Sequence, residues 1–174
     1  MKPGTTILGI DPGSRVTGFG IIIVSGDQMR YCASGCIRTD KMEFNRRLEE
    51  IYNKVGALIN EYSPAEVCLE RVFVHRNADS ALKLGHARAA AMCAVFSDTS
   101  TGTPLLAEYS PRQVKQAVAG YGAAEKDQVK HMVSRLLALQ GDLQSDAADA
   151  LAVAVCHANS RRAAQLLGQR EAVQ

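Results

Sequence analysis

Apolar residues fall into two kinds of pattern along the chain. Residues 5–10, 16–24 and 29–38 are short runs rich in β-branched and aromatic side chains, separated by the turn signals Asp11-Pro12-Gly13-Ser14 and Gly26-Asp27. Their spacing predicts three strands in an antiparallel meander. Over residues 43–62 the period changes: Leu48, Ile51, Tyr52, Val55, Leu58 and Ile59 recur at intervals of three and four, which predicts an amphipathic helix closed by Pro64. Residues 66–72 read as a buried strand with Glu70 near its end. An Ala-rich helix follows to about residue 97, capped by Asn77 or Asp79. Residues 105–109 read as a fifth strand, and Ser110-Pro111 is a cap followed by proline at the first helical position. After a loop at 120–124, helices are predicted over 126–139 and 146–166. A meander followed by strands alternating with helices predicts a single α/β domain, a mixed five-stranded sheet flanked by helices. The stretch beyond about residue 160, with Arg161, Arg162 and Arg170, reads as either a helix extension or a basic tail.

Composition narrows the class without naming a function. The 174 residues are 47% hydrophobic and 22% charged, which argues against disorder and for one self-sufficient core. A formal net charge of +2 does not by itself announce a nucleic-acid binder, so the placement of charge matters more than its total. The five cysteines, Cys32, Cys36, Cys68, Cys93 and Cys156, form no CxxC pair and no zinc-like spacing. Most sit among apolar or small residues and are expected to be buried thiols. The first residues contain no apolar run of signal-peptide or membrane-spanning length, so a soluble, reduced, cytoplasmic protein is the expectation.

Four acids stand out against apolar surroundings. Asp11 ends a buried strand just before a tight glycine turn, where a backbone leaves room for a metal or phosphate to approach; it could equally cap the turn. Glu70 lies in the apolar strand sequence VCLERVF, where a charge is costly unless paired, metal-bound or at a solvated strand end. Arg71 belongs to the opposite face of such a strand and is a poor partner for it. In SDAADALAVAV, Asp146 and Asp149 are three residues apart and share a helix face. Asp146 alone could be a first-turn acid, but Asp149 interrupts a run that otherwise looks core-facing. Four acids from three segments suggest an oxygen-only site, which favours Mg²⁺ or Mn²⁺ over zinc. A pair of such ions about 4 Å apart can activate water and stabilise the leaving oxygen of a phosphodiester.

The stretches LGIDPGSRVTGFG, SGCIRT, LERVF, NADSALKLGHARA, YSPRQVKQAVAGYGAAEK and SDAADALAVA resemble the RuvC family of Holliday junction resolvases, in that family's order and spacing. The resemblance implies a ribonuclease-H-like fold, a homodimer and paired symmetric nicks in strands of like polarity. It implies that Asp11, Glu70, Asp146 and Asp149 are the catalytic, metal-binding acids, with Mg²⁺ in two sites and Mn²⁺ as a substitute. Lys115 and Lys126 match basic residues near the scissile phosphate, where a lysine offsets developing charge. Phe73 matches an aromatic that stacks on unpaired bases, a sequence-tolerant contact. By the same analogy the partners are a four-way DNA junction and the branch-migration proteins RuvA and RuvB.

Arg76, Lys83, Arg88, Arg112 and Lys130 are candidates for phosphate contacts, set against the alternative of solvated helix faces. His75 lies nearest the expected DNA-facing loop, but no histidine has a metal-ligand partner at helical spacing. Ala78, Ala81, Leu82, Gly85, Ala89, Met92 and Phe96 form a stripe at three-four spacing, which packs either on its own sheet or across a two-fold dimer interface. Three rival functions remain in view. GIDPGS resembles the first phosphate loop of actin-like ATPases, although the chain lacks their second domain. A non-cutting junction binder gains nothing from clustered negative charge. A ribonuclease-H-like nuclease acting on RNA–DNA hybrids is separated only by its substrate.

Overall fold

The computed structural model describes residues 4–71, 77–97 and 102–171, with side chains up to residue 165. Five strands, β1 (Thr5–Asp11), β2 (Val16–Ser25), β3 (Gln28–Arg38), β4 (Glu66–Glu70) and β5 (Leu105–Tyr109), form one sheet of order β3-β2-β1-β4-β5. The first three make the antiparallel meander, and β4 and β5 add in parallel. Five helices complete the chain: α1 (Phe44–Tyr62), α2 (Ala78–Ser97), α3 (Pro111–Ala119), α4 (Lys126–Leu136) and α5 (Ser145–Glu171).

Strand alternation sorts the core into two layers. Leu8, Ile10, Val67 and Leu69 point to one face, where they pack with Ile51 and Val55 of α1 and Ala87 and Ala91 of α2. Ile7 and Cys68 point to the other, against Leu151 and Ala154 of α5 and, beyond it, Val114 of α3 and Val129 of α4. Helix α5 is buried almost all round from Ala147 to Ala158, as expected for a helix between a sheet and an outer helix layer. It lies directly on the sheet backbone. A Cβ at Gly18 would stand 1.9 Å from the Asp146 carbonyl oxygen, and one at Gly9 would stand 2.2 Å from that of Ala150. Only glycine permits this approach.

Local signals act much as the sequence implies. Ser110 and Gln113 form a capping box with Pro111 at the head of α3. Between the two candidate caps of α2, Asn77 is the one used: the Ser80 amide donates to its Oδ1 at 3.2 Å. Differences fall at the ends. Helix α4 stops at Leu136 instead of 139, because Ala138 turns left-handed (φ 51°) and the Leu139 amide bonds back to Ser134 while its side chain packs into the core. Helix α5 continues to Glu171, so the region past residue 160 is helix extension. The expectation of mostly buried thiols is corrected: Cys68 and Cys156 are buried, but Cys32 on the edge strand β3 and Cys93 on the outer side of α2 are exposed. No helix among the described residues is long and apolar enough to cross a membrane.

Candidate active site

Alternation also decides which acids meet. Counting from Ile7, the side chains of Gly9 and Asp11 share the α5 face of β1; counting from Cys68, so do Glu66 and Glu70 of β4. Asp11 and Glu70 therefore end adjacent parallel strands on the face that α5 crosses. Asp146 and Asp149 lie in the opening turns of that helix, with Asp146 seated against Gly18 of β2. The glycine seat and the strand alternation thus bring all four predicted acids to one end of the sheet.

The electrostatics bear this out. Burial, then Glu70, Asp149 and Asp146 in turn, push the Asp11 carboxyl from its ordinary 3.8 up to about 8, with Lys126 acting in the opposite sense. Glu70 is also raised, by burial and by Asp149, against a lowering influence from Lys126, a hydrogen bond with Asp11 and Lys115. The cluster carries more negative charge than its own lysines neutralise. Lys126 donates to Asp149 Oδ2 at 3.2 Å, and Asp149, then Asp11 and Asp146, hold its ammonium charged. The lysine side chain is 76% exposed, so this pair is screened and contributes little to stability. Among the described residues, no three acidic, histidine or cysteine side chains converge closely enough to enclose one ion. The donor chemistry nonetheless fits a divalent cation: hard oxygen ligands that repel one another, with one acid now holding a lysine.

The remaining predicted residues are distributed around this centre. Lys115 on α3 is half-buried and close enough to Glu70 to lower its pKa, whereas Arg112 is exposed, its side chain lying over Gly122. Lys83 is held by Asp79 at 2.6 Å and Lys130 by Asp142 at 2.8 Å, both on the surface. Arg88 is engaged with Glu108 on the α2 side of the sheet, which Arg71 also approaches at 4.0 Å, so neither faces the acids. Phe73, His75 and Arg76 lie outside the described residues. The α2 stripe faces outward: Leu82 is 64% and Phe96 51% exposed, Gly85 and Ala89 are exposed, and Ala81 and Met92 are half-buried. The buried face is instead Ala87, Ala91, Ala94 and Val95, which packs beside α1 in the core layer on that side of the sheet.

Sequence reasoning passed over a buried polar knot at the other end of β4. Glu66 receives His157 Nε2 at 2.6 Å and Arg161 Nε at 2.8 Å; Tyr109 bonds His157 Nδ1 at 2.8 Å, and Arg161 reaches Thr5 at 3.1 Å. The knot ties β1, β4, β5 and α5 together behind the acids. Only the rarity of a charge in an apolar strand could have signalled it.

A mixed sheet of this order, with a helix crossing the ends of its central strands, places the protein in the ribonuclease-H-like fold class. The family described as crossover junction endodeoxyribonuclease RuvC matches residues 7–157. A relative of that description from Legionella pneumophila (strain Paris) is 52% identical over 95% of this chain and 94% of its own length. Another, from Shewanella amazonensis, is 50% identical over 96% and 94%. The solved structure of T. thermophilus RuvC in complex with Holliday junction substrate superposes with a TM-score of 0.83 and 34% identity, covering 92% of this chain and 96% of that one. The yeast mitochondrial Holliday junction resolvase, at 15% identity and a TM-score of 0.68, shares the fold. The chain belongs to the RuvC family of crossover junction endodeoxyribonucleases.

Proposed function

We propose that this endonuclease resolves Holliday junctions by paired symmetric nicks in strands of like polarity, serving DNA recombination and repair. The observation that carries the reading is the convergence of Asp11, Glu70, Asp146 and Asp149 on one face at one sheet end, in a chain of this family. These four acids would hold the metal, with Mg²⁺ the first choice and Mn²⁺ a substitute, in two sites. Divalent ions bound there supply charge neutralisation for the phosphate oxygens and a lowered pKa for water. The chain's own part is positional and electrostatic. Asp11 and Glu70 fix donors on rigid strands, and α5 sets the Asp146–Asp149 pair against them. Lys115 and Lys126 offset charge on the phosphate. Phe73 stacks on bases unpaired at the crossover, and Arg76, Arg112, Lys83 and Lys130 contact phosphates, the last two by leaving Asp79 and Asp142.

The protein works as a homodimer in the cytoplasm, its 174 residues forming one domain, beside RuvA and RuvB. The outward apolar stripe of α2 supports a two-fold interface through Ala81, Leu82, Gly85, Ala89 and Met92, which places two identical sites on a substrate with near two-fold symmetry. The decisive experiment is incision of a labelled synthetic four-way junction with Mg²⁺ or EDTA, by wild type, Asp11→Asn and Glu70→Gln, with matched duplex and RNA–DNA hybrid alongside. Symmetric, metal-dependent nicks on the junction alone, lost in both variants while binding persists, are expected. Binding without cutting in any divalent ion, or preferential cutting of the hybrid, would overturn the assignment.

A further inference from the structure

The surface on the Asp146 side of the acids carries cations that have no role so far. Val16 pairs with Arg38 at the ends of β2 and β3, two residues beyond the Gly18–Cys36 pair on which Asp146 rests. Cys36 meets the Ala147 backbone and stands in the field of Asp146. Arg38 follows it by two residues on the same strand, so it shares that face about 7 Å further out. Its guanidinium donates to Gln144 Oε1 at 3.2 Å, just ahead of α5. Arg15 in the turn after Asp11 and Lys41 in the turn after β3 flank it, and all three are exposed.

These side chains stand on a fixed base. Arg47 of α1 donates to the Met42 carbonyl at 2.7 Å and to those of Ser14 and Asp40 at 3.3 Å each. Buried Thr39 adds an amide bond to the Arg15 carbonyl at 2.8 Å and a hydroxyl bond to the same group at 3.2 Å. One arginine and one threonine thus lock the turn that follows Asp11 to the turn that follows β3. With the backbone of both turns already held, a ligand has only the three side chains left to order. Arg15, Arg38 and Lys41 have no ion-pair partner among the described residues, whereas Lys54, Lys83, Lys130 and Arg162 are each held by a carboxylate. With Arg47, the platform sets four cations against two carboxylates of the same segment, Asp40 and Glu43.

The geometry points to Arg15, Arg38 and Lys41 as a second phosphate-binding rim, on the opposite side of the acids from Lys115 and Lys126, that grips the phosphodiester backbone of the junction strand beyond the cut. The inference rests on the junction reading above. It gives the site two cationic margins with the acids between them, so a strand is held on both sides of the scissile phosphate. Backbone contacts of this kind position the substrate without reading its sequence.

The test is the salt dependence of four-way junction binding by the full-length protein in EDTA, where no incision occurs. The triple variant Arg15→Gln, Arg38→Gln, Lys41→Gln is compared with wild type and with Arg30→Gln, Arg135→Gln, two exposed cations away from the acids. Each lost phosphate contact lowers the slope of log K against log salt by about 0.9. Between 50 and 200 mM salt the triple variant should therefore lose roughly 40-fold less affinity than wild type, about 3.5-fold for each of three contacts. The control pair should retain the wild-type slope. An unchanged slope in the triple variant, or an equal fall in the control pair, would overturn the rim while leaving the junction reading in place. Failure of wild type to bind the junction would overturn that reading, and the rim with it.

Discussion

Replacing Asp11 by asparagine should stabilise the metal-free protein while removing its ability to bind divalent ions. Burial and three neighbouring carboxyls raise Asp11 from 3.8 to about 8. Between those values the folded protein keeps a proton that the unfolded chain has released. Asp11 therefore adds stability that is fully present below 3.8 and is lost as pH rises through about 8, at up to ~1.4 kcal/mol per pH unit. From pH 5 to pH 7.5 the loss would reach about 3 kcal/mol for a fully enclosed group. Asp11 is only half-buried, and water at the open side screens it, so about 1.5 kcal/mol is the working figure, or roughly 3–6 °C in melting temperature for a chain of this size. The assay is urea and thermal unfolding in EDTA across that range. Wild type should weaken with rising pH, and Asp11→Asn should follow a flatter profile containing only what Glu70 contributes in the same direction. Adding Mg²⁺ at pH 7.5 should restore wild type and leave the variant unmoved. Parallel profiles for the two proteins, or a wild type that gains stability between pH 5 and 7.5, would refute the charge-repulsion account.

Lys126→Met removes the cation that opposes the rise in Asp11, so the midpoint of pH-dependent Mn²⁺ binding should move to higher pH; calorimetry across pH 6–9 reads it, and an unmoved midpoint would contradict the placement of that lysine. Gly18→Ala drives a methyl into the Asp146 carbonyl, 1.9 Å from its ideal position, and should cost about 2–3 kcal/mol in urea unfolding; a neutral result would mean that α5 is free to lift from the sheet. Glu66→Ala strands Arg161 and His157 and should cost about 3 kcal/mol or more, with Glu66→Gln recovering part of it; equal stability of the two variants would mean that the knot is not energetically coupled. Leu82→Glu with Phe96→Glu should abolish the proposed homodimer in sedimentation velocity, whereas a variant that sediments like a dimeric wild type would remove α2 from the proposed interface.

The fold was legible wherever local chemistry and periodicity agreed. Turn residues framed the meander, the three-four repeat defined α1, and Ser110-Pro111 located the head of α3. The C-terminal ends of α4 and α5 were less legible, because no glycine or proline marks the stop after Leu136 and the alanine-rich run past residue 160 has little amphipathic contrast. For the site, charges set in apolar runs and the three-residue spacing on α5 marked four acids, and it took strand alternation in the structure to show that they meet at one end of the sheet. The partners of surface cations were not legible. Lys130 reaches Asp142 across a turn, and Arg88 meets Glu108 from another element, which are properties of tertiary approach that a linear pattern does not encode. The exposure of Cys93 was hidden for a similar reason: α2 is apolar on both its inner and outer sides, so its pattern does not say which side is solvent.

The backbone-to-backbone seat of α5 on Gly9 and Gly18 also bears on how this enzyme can vary. Packed side chains have rotamers and volumes that drift, and a helix resting on them drifts too. A helix resting on peptide planes has a fixed datum. Its outer side, against Val114, Val118, Val129 and Val133, is free to accept compensating changes of size without altering how far Asp146 and Asp149 stand from Asp11 and Glu70. Sequence divergence in α3 and α4 is thereby uncoupled from the spacing of the four acids, and tolerance at that end of the sheet narrows at the strand glycines under α5, Gly9, Gly18 and Gly20, where an added Cβ meets the helix backbone.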